Sequence, residues 1–466
     1  MLLSSLGGAL GVLVGYWSRG LLPFGRDAPL DWRVFGFVAG VSMLTGIVFG
    51  LVPALRATRV DLAGAMKETS RSVTGSRTLL SKALLVVQVG MSLVLLIGAG
   101  LFLRTLQNLK SVDVGFDSKN LLMFNVNPGV NRYDADRSAQ VFHQALDRMS
   151  ALPGVKAAAL TRTTLLSGST STSSMWKQGQ TSQTAAEEEM YMMDVSPTFF
   201  ATMGIPVQLG RGFTDHDDKA APQVAVINEA AARALFPDGD VIGRRIGGSF
   251  EKSNEIEIVG VVRDVKYASV RDPGPPTMYR CVWQGPARSL NVVLRTAGDP
   301  LAMTETVRAA MRDVDPTLPI QRFTSQSEQI SLRFAQERLF ATAYTAFGAL
   351  ALLLACIGLF GLMSYNVARR TNEIGIRMAL GAQRATVVRM VMRESMLLVG
   401  IGVTVGLAAA LWAGRFVQTV LYGLSANDVI TISAAVGLIA VVSALAGYLP
   451  ARRASNVDPM EALREQ

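Results

Sequence analysis

The 466-residue sequence predicts a membrane protein in which a bundle of six transmembrane α-helices is joined to one large extracytoplasmic α+β domain. Three observations lead to this fold class. Half of the residues are hydrophobic and only 17% are charged, a balance typical of a membrane protein with a sizeable water-exposed part. Six apolar stretches approach the roughly 20 residues that a bilayer span requires. The last segment of the chain also has an earlier copy, which indicates repeated membrane units.

The six apolar stretches predict the membrane spans in chain order. They cover residues 1–17, 34–55, 83–103, 339–364, 395–414 and 428–449. The first stretch is short for a span and could be mistaken for a secretory signal. It has neither a basic leading region nor an A-x-A-like cleavage site, so we predict a true span.

The repeat predicts the domain organisation. GLVPALRATRVDLAGAMKE at 50–68 matches GYLPARRASNVDPMEALRE at 447–465, and the apolar residues 1–17 align without a gap to 396–412. We therefore expect the end of one membrane unit followed by a complete second unit. The expected order is the last two transmembrane helices of a first unit at 1–68, a cytoplasmic linker at 69–82, a transmembrane helix at 83–103, the extracytoplasmic domain at 104–338, and a domain with three transmembrane helices and a cytoplasmic loop at 339–466.

The distribution of charge predicts the orientation and excludes a class of function. Residues 104–338 contain 26 Lys/Arg and 26 Asp/Glu, so the net charge of +9 lies entirely outside this region. A nucleic-acid-binding protein would place such an excess on a folded soluble surface, and we expect no nucleic acid as a partner. Here the basic residues concentrate in the loops 56–82 and 366–393 and in the tail, which predicts that these segments and both termini are cytoplasmic.

Glycines four residues apart recur within the predicted spans. Such rows allow helix backbones to approach closely in a membrane, although glycine is also simply common there. We predict a packing role for Gly7, Gly11, Gly15, Gly36, Gly40, Gly46, Gly50, Gly402 and Gly406. No span has a charged residue at its centre, which argues against a proton pump or an ion channel.

The region between the third and fourth spans alternates strand-like and helix-like stretches. Strands are predicted where β-branched and apolar residues alternate or cluster, and helices where apolar residues recur every three to four positions. The predicted elements are strands at 121–129, 154–161, 255–265 and 290–296, helices at 137–152 and 299–315, and a strand running into a helix at 224–236. A Ser/Thr-rich loop is predicted from Gly168 to Thr184. This order favours an α+β or mixed α/β domain.

No constellation of catalytic residues is present in the sequence. The G-x-x-x-x-G-K-[ST] phosphate-binding motif is absent, so we expect no ATPase activity from this chain and no cofactor. The two cysteines, Cys281 and Cys356, do not predict a disulfide framework or a metal site. His143 is expected on a helix surface. His216 lies among three aspartates, which we interpret as a solvated acidic turn, because a metal site there would need further ligands.

The polar segment 368–395 is the candidate functional element. Glu373 and Arg377 are four residues apart and can pair on a helix. Ile374, Ile376 and Leu380 supply apolar surface. This pattern predicts a short amphipathic helix held at the cytoplasmic membrane face for a protein partner, and the alternative is an interfacial helix that lies on lipid.

Several segments resemble one family of transporters. RRTNEIGIRMALGA and the ending YLPARRASNVDPMEALRE resemble the cytoplasmic loop and C-terminal tail of FtsX/MacB-type ABC transporter permeases. VSPTFFATMGIPVQLGRGFTDHD and VAVINEAAARALFPDGDVIGRRI resemble the MacB-type periplasmic core domain. The repeat resembles the duplicated permeases of acidobacterial type, from which this chain departs by lacking the N-terminal part of the first unit.

The resemblance implies a permease subunit in a bacterial inner membrane that couples ATP hydrolysis by a separate cytosolic ATPase to movement of a periplasmic domain. It places at the ATPase contact Arg370, Glu373, Ile374, Gly375, Ile376, Arg377, Ala379, Gly381 and Ala382. Further implied partners are membrane lipid, a second permease, and a periplasmic adaptor with an outer-membrane channel. The alternatives are an FtsX-like regulator of an extracytoplasmic enzyme, or an inactive truncated permease.

Overall fold

The computed structural model describes residues 2–18, 32–57, 72–179, 188–286, 289–380 and 382–455. These residues divide into two compact units. The first comprises Met1–Gln107 and Ala335–Gln466 and is called the helical unit below. The second, Asn108–Phe334, is called the outer domain.

The helical unit is built from α-helices alone in the part that the structure describes. These helices are α1 (Leu2–Ser18), α2 (Trp32–Ala57), α3 (Ser72–Ser111), α9 (Ala335–Arg369), α10 (Thr371–Ala379), α11 (Arg384–Val417) and α12 (Val429–Ala454). Four apolar segments, Ser81–Ser111, Ala335–Arg369, Arg384–Val417 and Val429–Arg453, are long enough to cross a membrane by length and composition. They coincide with the last four predicted spans.

The first two predicted spans are not confirmed. Residues 2–18 do form a helix, but at 17 residues α1 is shorter than the four segments above. Within α2 the described apolar stretch is Phe35–Leu44. Within the predicted cytoplasmic linker at 69–82, the residues from Ser72 onward belong to α3, and the role of this segment as a linker stays a prediction. A helix extends readily once it has formed, so the helix of the span continues back into the polar segment.

Helix α3 is the most enclosed of the four long helices. In its apolar window 44% of the residues are buried, compared with 22% in each of the other three. Leu93 and Val89 of α3 lie in one apolar cluster with Leu359 of α9 and Ile439 of α12. Close packing of this kind holds helices together where lipid supplies no hydrophobic drive.

The outer domain is a mixed sheet with helices on it. Eleven strands are present in the described residues: β1 (Leu121–Val126), β2 (Val155–Thr161), β3 (Thr172–Lys177), β4 (Glu188–Val195), β5 (Val207–Gly210), β6 (Val224–Asn228), β7 (Arg245–Gly247), β8 (Ile256–Val262), β9 (Thr277–Cys281), β10 (Leu290–Thr296) and β11 (Ile320–Ser325). Their order is β11-β1-β10-β2-β4-β3-β7-β8-β6-β9, with β5 on β8. Because β9 also pairs with β4, the strands from β4 to β9 in this order close into a ring.

Helices pack against both the open part and the ring of this sheet. They are α4 (Ala135–Ser150), α5 (Phe199–Met203), α6 (Glu229–Leu235), α7 (Thr304–Val314) and α8 (Gln326–Arg333). In α4 the buried residues Val141, Phe142, Ala145 and Met149 recur every three to four positions, which is the spacing of one helix face. The Asp134 side chain begins this helix by accepting a hydrogen bond from the backbone N–H of Arg137.

The predicted strands and helices of the outer domain are confirmed as β1, α4, β2, β6 with α6, β8, β10 and α7. The loop predicted from Gly168 to Thr184 is wrong in part, since β3 occupies Thr172–Lys177. This segment is rich in Ser and Thr, yet it pairs with β4 on one side and β7 on the other. The segment forms a strand because it pairs with a strand on each side, although its local preference for a strand is weak.

Candidate functional site

The candidate site is α10, the short helix between the long helices α9 and α11. Only Arg370 separates α10 from α9, and the backbone N–H of Ile374 donates to its carbonyl oxygen at 2.9 Å. At the other end, the backbone N–H of Ala382 donates to the Arg377 carbonyl at 2.9 Å, and α11 begins at Arg384. The helix is therefore attached to a membrane-length helix at each end.

One face of α10 packs against these neighbouring helices. Ile374 is 1% exposed and forms a small apolar cluster with Val387 of α11. Val367 of α9 and Met390 of α11 pack against this cluster. Gly375 is also buried. These residues fix the position of α10 on the helical unit.

The opposite face of α10 is open. Glu373 and Arg377 are exposed and form an ion pair of 2.5 Å between Oε1 and Nη2. Beside them lie two large apolar side chains, Ile376 and Leu380, and Leu380 is 83% exposed. An exposed ion pair of this spacing stabilises a helix by only about 0.3–0.5 kcal/mol. The open face thus combines both charges with apolar surface that the described chain does not cover.

The remaining predicted contact residues occupy different positions. Arg370 is exposed and its guanidinium lies 3.4 Å from the carboxylate of Glu394. Ala382 is half-buried after the end of α10, and Ala379 is the last residue of the helix. Gly381 lies outside the described residues. The structure thus places Glu373, Ile376 and Arg377 on the open face and Ile374 and Gly375 on the packed face.

Sequence reasoning missed the polar contact that ties α3 to this region. The carboxylate of Glu394, in α11, accepts a hydrogen bond from Nζ of Lys82 in α3 at 2.7 Å. Glu394 also lies close to Arg370. Its carboxylate therefore connects α11 both to α3, at Lys82, and to the junction of α9 with α10. A signal was present, since Glu394 is the sole Asp or Glu between Glu373 and Asp428.

The predicted packing glycines fall into two groups. A Cβ atom on Gly406 would lie 2.7 Å from the backbone of Gly90 in α3, and one on Gly402 would lie 2.8 Å from the Val89 side chain. In contrast, a Cβ on Gly7, Gly11, Gly36 or Gly40 meets no described atom within 4 Å. Gly46 is buried. No side-chain environment is described for Gly15 and Gly50.

A second charged contact joins α3 to the start of α12. Arg104 pairs with Asp428, whose carboxylate also accepts hydrogen bonds from the hydroxyl and the backbone N–H of Thr431. The Asp428 side chain thereby caps α12. Helix α3 is therefore held against α11 at Lys82 and Gly90, and against the start of α12 at Arg104.

The acidic turn of the outer domain is built around an ion pair between the buried Asp217 and the exposed Arg211. Asp217 is buried, and its two carboxylate oxygens accept hydrogen bonds from the two terminal nitrogens of Arg211 at 2.7 and 2.9 Å. Burial acts to raise the pKa of Asp217, but hydrogen bonds from Arg211 and Thr214 outweigh it and lower the pKa. His216 is exposed. No group of three or more metal-ligating side chains occurs in the described residues.

The remaining reactive side chains have ordinary surroundings. The ring of His143 is exposed and stacks on Trp283 with 3.6 Å between the ring centroids. Cys281 is buried, and burial raises the pKa of its thiol to about 11. At neutral pH this thiol is protonated and therefore a poor nucleophile. Both cysteines are free.

The described chain has four helices long enough to cross a membrane. The short helix α10 lies between α9 and α11, and the outer domain lies between α3 and α9. This arrangement defines a multi-pass membrane protein with one large domain outside the bilayer. Residues 83–313 match the MacB-like periplasmic core domain, and residues 345–459 match the FtsX-like permease C-terminal domain. The two matches together cover about three quarters of the chain. The chain belongs to the FtsX/MacB-type permeases of ABC transporters.

Curated relatives agree with this family. The chain is 28% identical over 306 residues to the macrolide export ATP-binding/permease protein MacB 1/2 of Paracoccus denitrificans, covering 60% of this chain and 43% of the relative. It is 30% identical over 278 residues to the pyoverdine export ATP-binding/permease protein PvdT of Pseudomonas aeruginosa, covering 56% of this chain and 40% of that relative. The chain thus spans less than half the length of these relatives.

A solved structure also aligns with the chain. It is the periplasmic region of MacB from Actinobacillus actinomycetemcomitans, at 13% identity and a TM-score of 0.33, covering 49% of this chain and 97% of that one.

Proposed function

We propose that this chain is the permease of an ABC-type efflux system, and that α10 is the contact through which a separate cytosolic ATPase moves it. The two-faced environment of α10 is the observation that supports this proposal. Its packed face, formed by Ile374 and Gly375, transmits force to α9 and α11. Its open face, formed by Glu373, Ile376, Arg377 and Leu380, receives the partner.

A single continuous helix, α9, connects α10 to the outer domain. Helix α9 runs unbroken from Ala335 to Arg369, and 35 helical residues span about 52 Å at 1.5 Å per residue. The outer domain ends at Phe334, the residue before α9 begins. Movement of α10 therefore reaches the end of the outer domain through one rigid element, which we propose as the mechanotransmission route. The proposed direction of this movement is along α9.

The proposal includes an orientation. Both termini and α10 face the cytoplasm of a bacterium, the outer domain is periplasmic, and α1 and α2 complete a set of six spans in the inner membrane. The basic residues flanking the apolar segments support this orientation. The names of the relatives join ATP binding to permease function. We propose that a separate cytosolic ATPase supplies the ATP hydrolysis.

The test exchanges the charges of the open face without removing the ion pair. In the double variant Glu373→Lys/Arg377→Glu the two side chains still pair within α10, so the helix is retained while its surface charge pattern is inverted. The matched control is Asp240→Lys/Arg244→Glu, which exchanges an exposed pair of the same spacing in the outer domain. Each chain is tagged, expressed in its native host and purified in mild detergent, and ATP turnover and co-purified proteins are measured.

We expect the wild type and the control to retain a P-loop-containing ATPase, and the α10 variant to lose most of it. An inverted pair placed opposite a complementary surface turns attraction into repulsion of several kcal/mol, enough for at least a tenfold loss of binding. Equal ATPase retention and turnover in all three chains would show that α10 is not the coupling contact. An adaptor, a second permease or an extracytoplasmic enzyme recovered with the wild type would identify the remaining partners.

A further inference from the structure

The outer domain contains an open cavity of about 530 Å³ that the proposed coupling does not use. It is lined by residues of β1, β11, the loop 162–169 and α8. Its volume is within the range of about 300–1,000 Å³ that is usual for small-molecule sites. Three arginines, Arg162, Arg322 and Arg333, line the cavity, and none of the described lining residues is acidic.

Arg322 enters the cavity from a strained backbone position. Its φ angle is +58°, in the left-handed region that side chains other than glycine rarely adopt. The pairing of β11 with β1 is interrupted at this point, because Met123 pairs with Thr324 while Asn125 pairs with Gln321. Two residues of β11 thus face one residue of β1, which is a β-bulge. Bulges of this kind redirect a side chain, and strained residues cluster at binding sites.

The opposite wall of the cavity is also strained and is held by α8. Leu166 has a φ angle of +61°. The side-chain amides of Gln326 and Gln329 in α8 donate to the carbonyl of Leu165 at 2.9 and 2.7 Å, and Nε of Arg333 donates to the carbonyl of Leu166 at 3.1 Å. Each contact joins the helix to the loop, so the loop is kept in this conformation despite its unfavourable backbone angle.

Glycine at position 168 leaves room for the guanidinium of Arg333. A Cβ atom there would lie 2.2 Å from Nη1 of Arg333, closer than non-bonded atoms approach, and the φ angle of +78° also favours glycine. The guanidinium of Arg333 is thus held by its hydrogen bond to the Leu166 carbonyl, and it occupies the space that a side chain at position 168 would fill.

The charge of this cavity is largely uncompensated. Arg162 pairs with the buried Asp194 at 2.6 Å. For Arg322 and Arg333, no carboxylate of the described residues lies within the 4.0 Å of an ion pair. Glu328, on the same helix as Arg333, instead lies 3.3 Å from the hydroxyl of Thr324. The side chains of Asn125, Asn291 and Thr164 also line the cavity, where each is hydrogen-bonded to a neighbouring protein group.

We propose that this cavity, the arginine cavity, binds the carboxylate or phosphate group of a small polar molecule. Guanidinium groups match both oxyanions because each presents parallel N–H donors to two oxygen atoms. Two arginines without carboxylate partners attract such a group, and the strained segments on both walls hold the donors in place before binding. Arg322 and Arg333 supply the charge that this binding requires.

The experiment uses the purified full chain in detergent and isothermal titration calorimetry at constant ionic strength. The probes are glycerol 3-phosphate for the phosphate class, citrate for the carboxylate class, and glycerol as the neutral control. Each is titrated into the wild type, Arg322→Gln, Arg333→Gln and the surface control Arg244→Gln. The unfolding temperature of each variant verifies that the chain is folded, and the two cavity variants disturb different segments.

We expect saturable binding of at least one anion to the wild type and to Arg244→Gln, with no binding of glycerol. Each cavity variant should weaken the binding about tenfold or more, as expected for the loss of one charge-assisted hydrogen-bonded partner. Binding of glycerol 3-phosphate alone assigns the site to phosphates, and binding of citrate alone assigns it to carboxylates. Absence of binding for both anions, or equal binding by all four chains, would overturn the proposal.

Discussion

Glycine has different physical roles in the two units of this molecule. In the helical unit, Gly90, Gly402 and Gly406 have ordinary helical backbones and are needed because two helices touch there. In the outer domain, Gly168 and Gly210 have positive φ angles and are needed because the chain bends sharply there. The first role depends on a second helix, and the second role depends on the residue's own backbone. The comparison separates contacts made between elements from conformations imposed within one.

This difference explains why the same glycine pattern has two outcomes in the helical unit. The rows Gly7–Gly11 and Gly402–Gly406 occupy matching positions of the repeat. In the described chain only the second row meets another helix, α3, through Gly90. The spacing of glycines indicates that a helix can be approached closely, and it does not indicate which helix approaches it.

The largest effect is expected at a glycine of the second kind. Gly210→Ala introduces a Cβ atom 2.2 Å from the carbonyl oxygen of Val259 at a φ angle of +67°. Backbone strain and a clash with backbone atoms together should destabilise the outer domain by about 3 kcal/mol or more. This loss is measured by thermal unfolding of the purified chain, with the unfolding of the outer domain monitored by its sensitivity to proteolysis.

The matched variant for this prediction is Gly239→Ala. Its φ angle is +86°, but a Cβ atom meets no described atom within 4 Å. This variant should lose only the backbone part, about 1–2 kcal/mol. If both variants lose the same stability, close contact at Gly210 contributes nothing.

An intermediate effect is expected at a glycine of the first kind. Gly406→Ala places a methyl group 2.7 Å from the backbone of Gly90, so α3 and α11 must move apart, at a cost of about 1–3 kcal/mol. Gly400 lies on the same helix and its Cβ would meet no described atom, so Gly400→Ala should leave the unfolding temperature unchanged or slightly raised. A similar loss in both variants would contradict close packing of α3 on α11.

Local patterns in the sequence anticipated a good part of the fold. The strands at 121–129, 154–161 and 290–296 and the amphipathic helix at 137–152 follow from hydrophobic periodicity, which acts over a few residues. The four long apolar helices follow from composition. Periodicity also marked α10 as amphipathic, because Glu373 and Arg377 share one face.

Contacts between distant residues could not be anticipated in this way. Ile374 and Ile376 are both apolar in sequence, and only the positions of α9 and α11 decide that Ile374 is buried and Ile376 is exposed. The link from Lys82 to Glu394 joins residues 312 positions apart. The arginine cavity depends on the register of β11 against β1, and no local signal precedes the bulge at Arg322.

The smallest expected change in stability is at Arg322, where an arginine occupies a backbone bend that favours glycine. Arg322 has the φ angle of a bend glycine, +58°. Arg322→Gly and Arg322→Ala both remove the guanidinium, but only glycine relieves the backbone strain. Relief of about 1–2 kcal/mol is partly offset by the greater freedom of glycine in the unfolded chain, about 0.5–1 kcal/mol. The glycine variant should therefore unfold slightly above the alanine variant, while both lose anion binding in calorimetry. A glycine variant that unfolds below the alanine variant would mean that the bulge is not strained, because only the entropy cost of glycine would then remain. Retained binding in the glycine variant would mean that the bulge, and not the arginine side chain, forms the site.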